Sequence, residues 1–104
     1  NIAVTGQSNS TMTILTSTGA VVNSFPVPHY PDGLAFSDNA ATSTLYSNNN
    51  DGTITRYDLG PGFTGVPTIT DIATGSGAYG DLASVGPDCA FYVSQFDNNG
   101  YDSI

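Results

Sequence analysis

Residues 31–59 read PDGLAFSDNAATSTLYSNNNDGTITRYDL. The stretch opens on Pro-Asp-Gly and runs into the apolar Leu34-Ala35-Phe36. A polar loop follows, then Leu45-Tyr46-Ser47, a turn at Asp51-Gly52, and Ile54-Thr55-Arg56-Tyr57. From Thr53 to Leu59, polar and apolar side chains alternate, as they do along a half-buried strand. Gly, Asn, Asp and Pro punctuate the apolar runs at intervals too short for helices.

The same cadence occurs on both sides of this stretch. Leu34-Ala35 aligns with Leu82-Ala83, Leu45-Tyr46-Ser47 with Phe91-Tyr92-Val93, and Asn50-Asp51-Gly52 with Asn98-Asn99-Gly100. Towards the N-terminus, Ile2-Ala3-Val4 falls opposite Leu45-Tyr46-Ser47. Met12-Thr13-Ile14-Leu15 falls opposite Gly52-Thr53-Ile54-Thr55. Strands are expected at residues 2–5, 11–16, 21–27, 34–37, 44–48, 53–59, 68–74, 81–85, 90–95 and 102–104. The chain is thus expected to enter one unit part-way (1–30), pass through a complete unit (31–77) and leave a third part-way (78–104).

Four short strands in forty-odd residues make one blade of a β-propeller. PDGLAFS followed by LYSNNNDGTITRYDL resembles the blade pattern of the propeller group that includes NHL repeats, YVTN-type surface proteins and gluconolactonase-like enzymes. GDLASVGPDCAFYVSQ resembles the next blade. The expected fold is therefore all-β: antiparallel four-stranded blades, about two and a fraction of them, in an incomplete propeller. Leu34, Phe36, Leu45, Tyr46, Leu82, Phe91 and Tyr92 are expected to be buried between sheets. Two and a fraction blades leave apolar flanks and unpaired strand edges, which invite association.

Composition narrows the partners. Of 104 residues only 10% are charged, far below the roughly 25% of an ordinary soluble domain. Arg56 is the one basic side chain against nine Asp, and the net charge is -8. Nothing can neutralise a run of phosphates, so nucleic acid is excluded as a backbone partner. Anionic membrane surfaces are disfavoured on the same ground. No apolar run approaches the roughly 18 residues of a membrane span. A Lys-free chain rich in Thr, Ser, Asn and Gly is expected to be secreted or at the cell surface. Opening on Asn1, it is expected to be processed or part of a longer polypeptide. Cys89, being alone, forms no internal disulfide; a buried, inert thiol is expected. Asn9-Ser10-Thr11 is a glycosylation sequon on Asn9.

Several stretches could carry chemistry. Residues 47–52 resemble the front of a calcium loop, with oxygen ligands from Ser47, Asn49 and Asp51, Gly52 at the sharp turn, and Asp58 near the closing position. The alternative is a hairpin turn in which Asp51-Gly52 supplies positive φ, and residues 97–100 repeat that choice. Residues 75–80, GSGAYG, match G-x-G-x-x-G in form, but Asp81-Leu82-Ala83-Ser84-Val85 behind them is not the helix a dinucleotide site requires. The gluconolactonase-like resemblance implies a divalent metal held near the propeller axis by a Glu, two Asn and an Asp. Asp32 stands where that branch has Asn, Asn49 falls near its Asp, and the chain contains no Glu. The lactonase activity is not carried over, and Asp32 with Asn49 is expected at the mouth of a polar channel.

His29 is the sole imidazole, and its Pro28 and Tyr30-Pro31 neighbours place it in a linker between units. No nucleophile elbow accompanies it, so no catalytic residue is expected. Arg56 is expected to be solvated or paired with Asp58 or Asp71. Tyr46, Tyr57 and Tyr92 read as packing between blades, with a sugar-stacking platform as the alternative. The expected function is a non-enzymatic extracellular module for binding or assembly, its partners other copies of itself, remaining blades of a parent chain, or carbohydrate. Two alternatives stand beside it: a piece of a propeller hydrolase or lyase with its catalytic groups elsewhere, and a surface-polymer subunit joined through strand edges.

Overall fold

The computed structural model describes residues 1–6, 9–37, 43–74, 79–96 and 102–103. Ten strands follow in chain order: β1 (Ile2–Gly6), β2 (Thr11–Leu15), β3 (Val21–Pro26), β4 (Pro31–Phe36), β5 (Ser43–Asn49), β6 (Ile54–Gly60), β7 (Thr64–Ala73), β8 (Tyr79–Val85), β9 (Phe91–Phe96) and β10 (Asp102–Ser103). Pro61–Phe63 forms a single 3-10 turn between β6 and β7. The strands make three sheets, ordered β1-β2-β3, β4-β5-β6-β7 and β8-β9-β10. Each neighbouring pair is antiparallel. Among the described residues the sheets close into neither a barrel nor a ring.

Of the strands that begin earlier than the sequence predicts, β4 and β7 do so by the widest margin. β4 starts at Pro31, whose register partner is Asn49, so Pro-Asp-Gly is a bulged strand entry and no free turn. Proline is tolerated at a strand's first residue because the ladder asks no N–H of it there. β7 starts at Thr64 and carries Pro67 along the outer edge of its sheet, where the missing donor is harmless.

Register shows how the units correspond. Pro31 pairs with Asn49 and, after a bulge, Leu34 with Ser47 and Phe36 with Leu45. Gly80 pairs with Gln95 and, after a bulge, Ala83 with Val93 and Val85 with Phe91. The second strands therefore correspond at a spacing of 46 residues, as from Leu45 to Phe91, and the first strands at 49, as from Pro31 to Gly80. Leu34 corresponds to Ala83, and Gly33 to Leu82. This corrects the sequence alignment by one residue on the first strand, and a one-residue slip exchanges the two faces. Leu82, expected between sheets, is 70% exposed, and Tyr92 is 48% exposed.

The core lies between the first and second sheets. Met12 and Ile14 from β2, with Phe25 and Val27 behind them, bury against Leu45 of β5 and Tyr57 of β6. Phe25 and Tyr57 meet with ring centroids 5.9 Å apart. Leu34 and Phe36 are partly buried against this cluster. On the other face of the central sheet Tyr46 stacks on Phe91 at 4.9 Å.

Polar ties repeat across both junctions. Thr5 Oγ1 donates to the Pro31 carbonyl at 3.4 Å. Asn48 Nδ2 donates to the Leu82 and Ser94 carbonyls at 3.0 and 2.8 Å. Gln95 Nε2 returns a bond to Asn48 Oδ1 at 2.9 Å. Thr5 and Asn48 each reach the backbone of the following sheet, and Gln95 reaches back to the side chain of the preceding one.

Candidate functional site

The densest polar cluster among the described residues gathers at one end of the central sheet. His29 lies in the link between β3 and β4, Asp51 in the turn between β5 and β6, and Asp71 near the end of β7. In the Asp51-Gly52 turn only Gly52 takes positive φ, 86°, while Asp51 does not, so the loop closes between Asn49 and Thr53 with glycine alone in the left-handed region. His29 Nδ1 is 2.7 Å from Asp51 Oδ2, and Nε2 is 2.8 Å from Asp71 Oδ2. A neutral imidazole carries one N–H, so only the imidazolium donates to both carboxylates.

Behind the two carboxylates lies a buried network with a single direction. The Tyr57 hydroxyl donates to Ser47 Oγ at 2.9 Å, because Ser47 spends its own hydrogen on Asn49 Oδ1 at 2.7 Å. Asn49 Nδ2 donates to Thr53 Oγ1 and Thr55 Oγ1 at 2.9 and 2.8 Å. Thr53 Oγ1 passes its hydrogen to Asp51 Oδ1, and Thr55 Oγ1 to Asp71 Oδ1. Ser47, Asn49, Thr55 and Tyr57 are fully buried. Asn49 uses both amide hydrogens and its carbonyl, so a buried polar side chain is satisfied without water. Every donor points towards the two Asp, which is the arrangement that favours them ionised.

The electrostatics follow. Burial opposes a charged His29 ring, but the hydrogen bonds and charges of Asp71 and Asp51 outweigh it, and its pKa is raised. Burial works against the Asp51 carboxylate too, yet the Thr53 hydroxyl and amide, with His29, hold its pKa below the ordinary value. For Asp71 the His29 hydrogen bond is the largest influence and lowers it. Burial pushes the Tyr57 phenol up. Both ring nitrogens of His29 are already held by carboxylates, which leaves the imidazole no free lone pair for a substrate, and the Ser47 hydroxyl has no access to solvent. The geometry suits a clamp between elements better than a nucleophilic site.

The other candidate residues are dispersed. Ser47, Asn49 and Asp51 belong to this network, where their oxygens already accept from, or donate to, protein groups. Asp58 pairs across the hairpin with Thr44, accepts from its hydroxyl at 3.0 Å and holds Arg56 at 3.0 Å. It therefore stands four register pairs from the Asn48 end, about 13 Å away at strand spacing. Among the described residues no group of three or more His, Cys, Asp or Glu side chains is arranged to hold a metal ion.

Asp32 is exposed in the β4 bulge, while Asn49 is buried and faces no open space. Burial, and then the charge of Asp81 in the matching β8 bulge, raise the pKa of Asp32. Cys89, expected to be buried, is exposed: it holds φ 64° in the turn between β8 and β9, where its N–H closes on the Gly86 carbonyl. Tyr92 donates to Asp88 at 2.7 Å. Asn9 is exposed, with Thr11 Oγ1 donating to its carbonyl. Of the G-x-G-x-x-G stretch at 75–80, residues 75–78 lie outside the described residues and 79–80 open β8; the second Asn-Gly turn at 97–100 also lies outside them.

Sequence reasoning placed His29 in a linker and missed its two partners, which lie 22 and 42 residues away. Its being the only imidazole is the one signal that singles it out.

No protein-family model matches the chain, and the searches of curated proteins and of solved structures found no match to it.

Proposed function

We propose that the chain is a non-enzymatic, extracellular repeat module of the propeller-blade type, whose work is binding and assembly. The observation that supports it is a contrast between corresponding positions. Leu45, opposite Tyr57 in the central sheet, is fully buried under the first sheet. Ile2, opposite Leu15 at the corresponding place in the first sheet, is 48% exposed. Tyr46 is covered by Phe91, whereas its counterpart Tyr92 is open. The middle unit is covered on both faces and each end unit on one. Apolar area left in water forfeits roughly 25 cal/mol per Å², so faces built to this pattern gain stability when covered. The clamp at His29 fits the same role, since it fastens the link between two units to the sheet that follows it.

The test is light scattering with denaturant unfolding at micromolar concentration. An assembly module gives masses above 10.7 kDa, with stability that rises with protein concentration. A cooperative monomer whose stability is independent of concentration contradicts the reading.

A further inference from the structure

The chain contains two Asp-Gly peptides, Asp32-Gly33 and Asp51-Gly52. In such a pair the glycine amide nitrogen can attack the Asp side-chain carboxyl carbon, and no glycine side chain crowds the approach. The amide hydrogen and the carboxyl hydroxyl leave as water, and a succinimide ring closes. Water then adds to one of the two ring carbonyls and reopens it, giving either aspartate or isoaspartate, whose main chain runs through the side-chain carbon. Nothing is oxidised or reduced, and water is the only co-reactant. The attack needs a protonated carboxyl, because an ionised one has no leaving group, and it needs side chain and amide free to meet.

The fold treats the two peptides in opposite ways. At Asp51, Oδ1 accepts from the Thr53 amide at 3.1 Å and from the Thr53 hydroxyl, while Oδ2 faces His29 Nδ1 at 2.7 Å. The Gly52 amide is itself spent on the Asn49 carbonyl at 3.0 Å. These bonds favour the ionised carboxyl and must open before the ring can close.

Asp32 has none of these holds. The β4–β5 ladder pairs Pro31 and Gly33 and skips Asp32, which is exposed. Among the described residues no donor reaches its carboxyl. Partial burial, and then the charge of Asp81, favour its protonated form. Packing fixes the glycine that follows: a Cβ at Gly33 would run into the Asp81 carbonyl oxygen and the Leu82 and Ala83 backbone, so only glycine lets β8 pass so close.

We propose that Asp32 is a site of spontaneous backbone modification, converting to isoaspartate through a succinimide with Gly33, and that Thr53 and His29 keep Asp51 from the same reaction. The product adds one carbon to the main chain at the entry to β4, moves Gly33 against β8 and loosens the junction between the second and third sheets.

The test is site-resolved mass spectrometry of the folded chain held in heavy-oxygen water at about pH 5, where a free Asp is still partly protonated. Each turnover leaves one heavy oxygen at the reacting residue. Synthetic peptides covering 29–36 and 48–55 serve as references and are expected to label at comparable rates. In the folded chain Asp32 is expected to label about tenfold faster than Asp51 or more, that being the worth of a single hydrogen bond to a charged group. Asp32→Glu, which would have to close a larger ring, is expected to lose the label at this position. His29→Gln is expected to raise labelling at Asp51, and Thr53→Val takes its place if circular dichroism shows the first variant unfolded. Asp51 labelling as fast as Asp32, or Asp32 staying inert while its peptide reacts, overturns the proposal. A folded variant that leaves Asp51 as slow as in the wild type overturns the protective role of the clamp.

Discussion

Nε2 of His29 stands 2.8 Å from Oδ2 of Asp71, although 42 residues separate them. The contact joins the linker that enters the central sheet to the outermost strand of that sheet. With Asp51 on the other ring nitrogen at 2.7 Å, the ring fastens three segments at once.

Stability is expected to depend on pH through this clamp. The His29 pKa is raised above 6.5, so its contribution is complete below about 6.5 and is lost as pH rises through the folded value. Asp51 and Asp71 are lowered below 3.8, so theirs is complete above about 3.8 and is lost as pH falls through their folded values. Melting temperature should peak between these limits. His29→Gln should lower it by the equivalent of about 1 kcal/mol, since both Asp are nearly half exposed and screened, and should flatten the alkaline side. A titration of melting temperature from pH 3 to 9 checks both; an unchanged alkaline limb in the variant would contradict the assignment.

Asn48 should tolerate an acid worse than a truncation. Its amide donates to two carbonyls and its oxygen accepts from Gln95. Asn48→Ala removes three hydrogen bonds from a buried junction, at a cost of about 2 kcal/mol. Asn48→Asp sets a carboxylate against two carbonyl oxygens and should cost about 1–2 kcal/mol more. Urea unfolding of the pair gives the order.

Gly33→Ala should destabilise by about 1–3 kcal/mol, because the added methyl meets backbone that cannot rotate aside. Gly19→Ala is the control: nothing lies within 4 Å of a Cβ there, and only the positive φ opposes it. Equal losses at the two sites would show that β4 and β8 are not pressed together as described.

Calcium in the millimolar range is expected to leave the melting temperature unchanged. Asp51 is occupied by His29 and Thr53, and Asp58 lies at the far end of the hairpin. A rise that Asp51→Ala abolishes would restore the calcium-loop reading. Gly52→Val should destabilise by about 1–3 kcal/mol with or without calcium, because Gly52 sits at φ 86°.

What the sequence determined by itself was local. Alternation across Thr53 to Leu59, Asp51-Gly52 at the turn, and apolar runs four to seven residues long are read within one strand or one hairpin, and they place all ten strands within a few residues. The second-strand alignment of Leu45-Tyr46-Ser47 with Phe91-Tyr92-Val93 agrees with the register. The first-strand alignment went astray at Leu82, because the first strands correspond at 49 residues and the second strands at 46: the connection between them is shorter in the third sheet, and the recurrence of Leu-Ala at 82–83 masks that shift. The site was almost wholly tertiary. Asn49 reads as a turn residue until Thr53 and Thr55 are seen to take its hydrogens, and His29 reads as a linker residue until β7 brings Asp71 to it. Strand and turn preferences act over a few residues, whereas a hydrogen bond between residues 29 and 71 exists only after three segments have been packed side by side. Exposure of Leu82 and Tyr92 was decided at the same level: the side chain is apolar in either case, and what covers it belongs to another sheet.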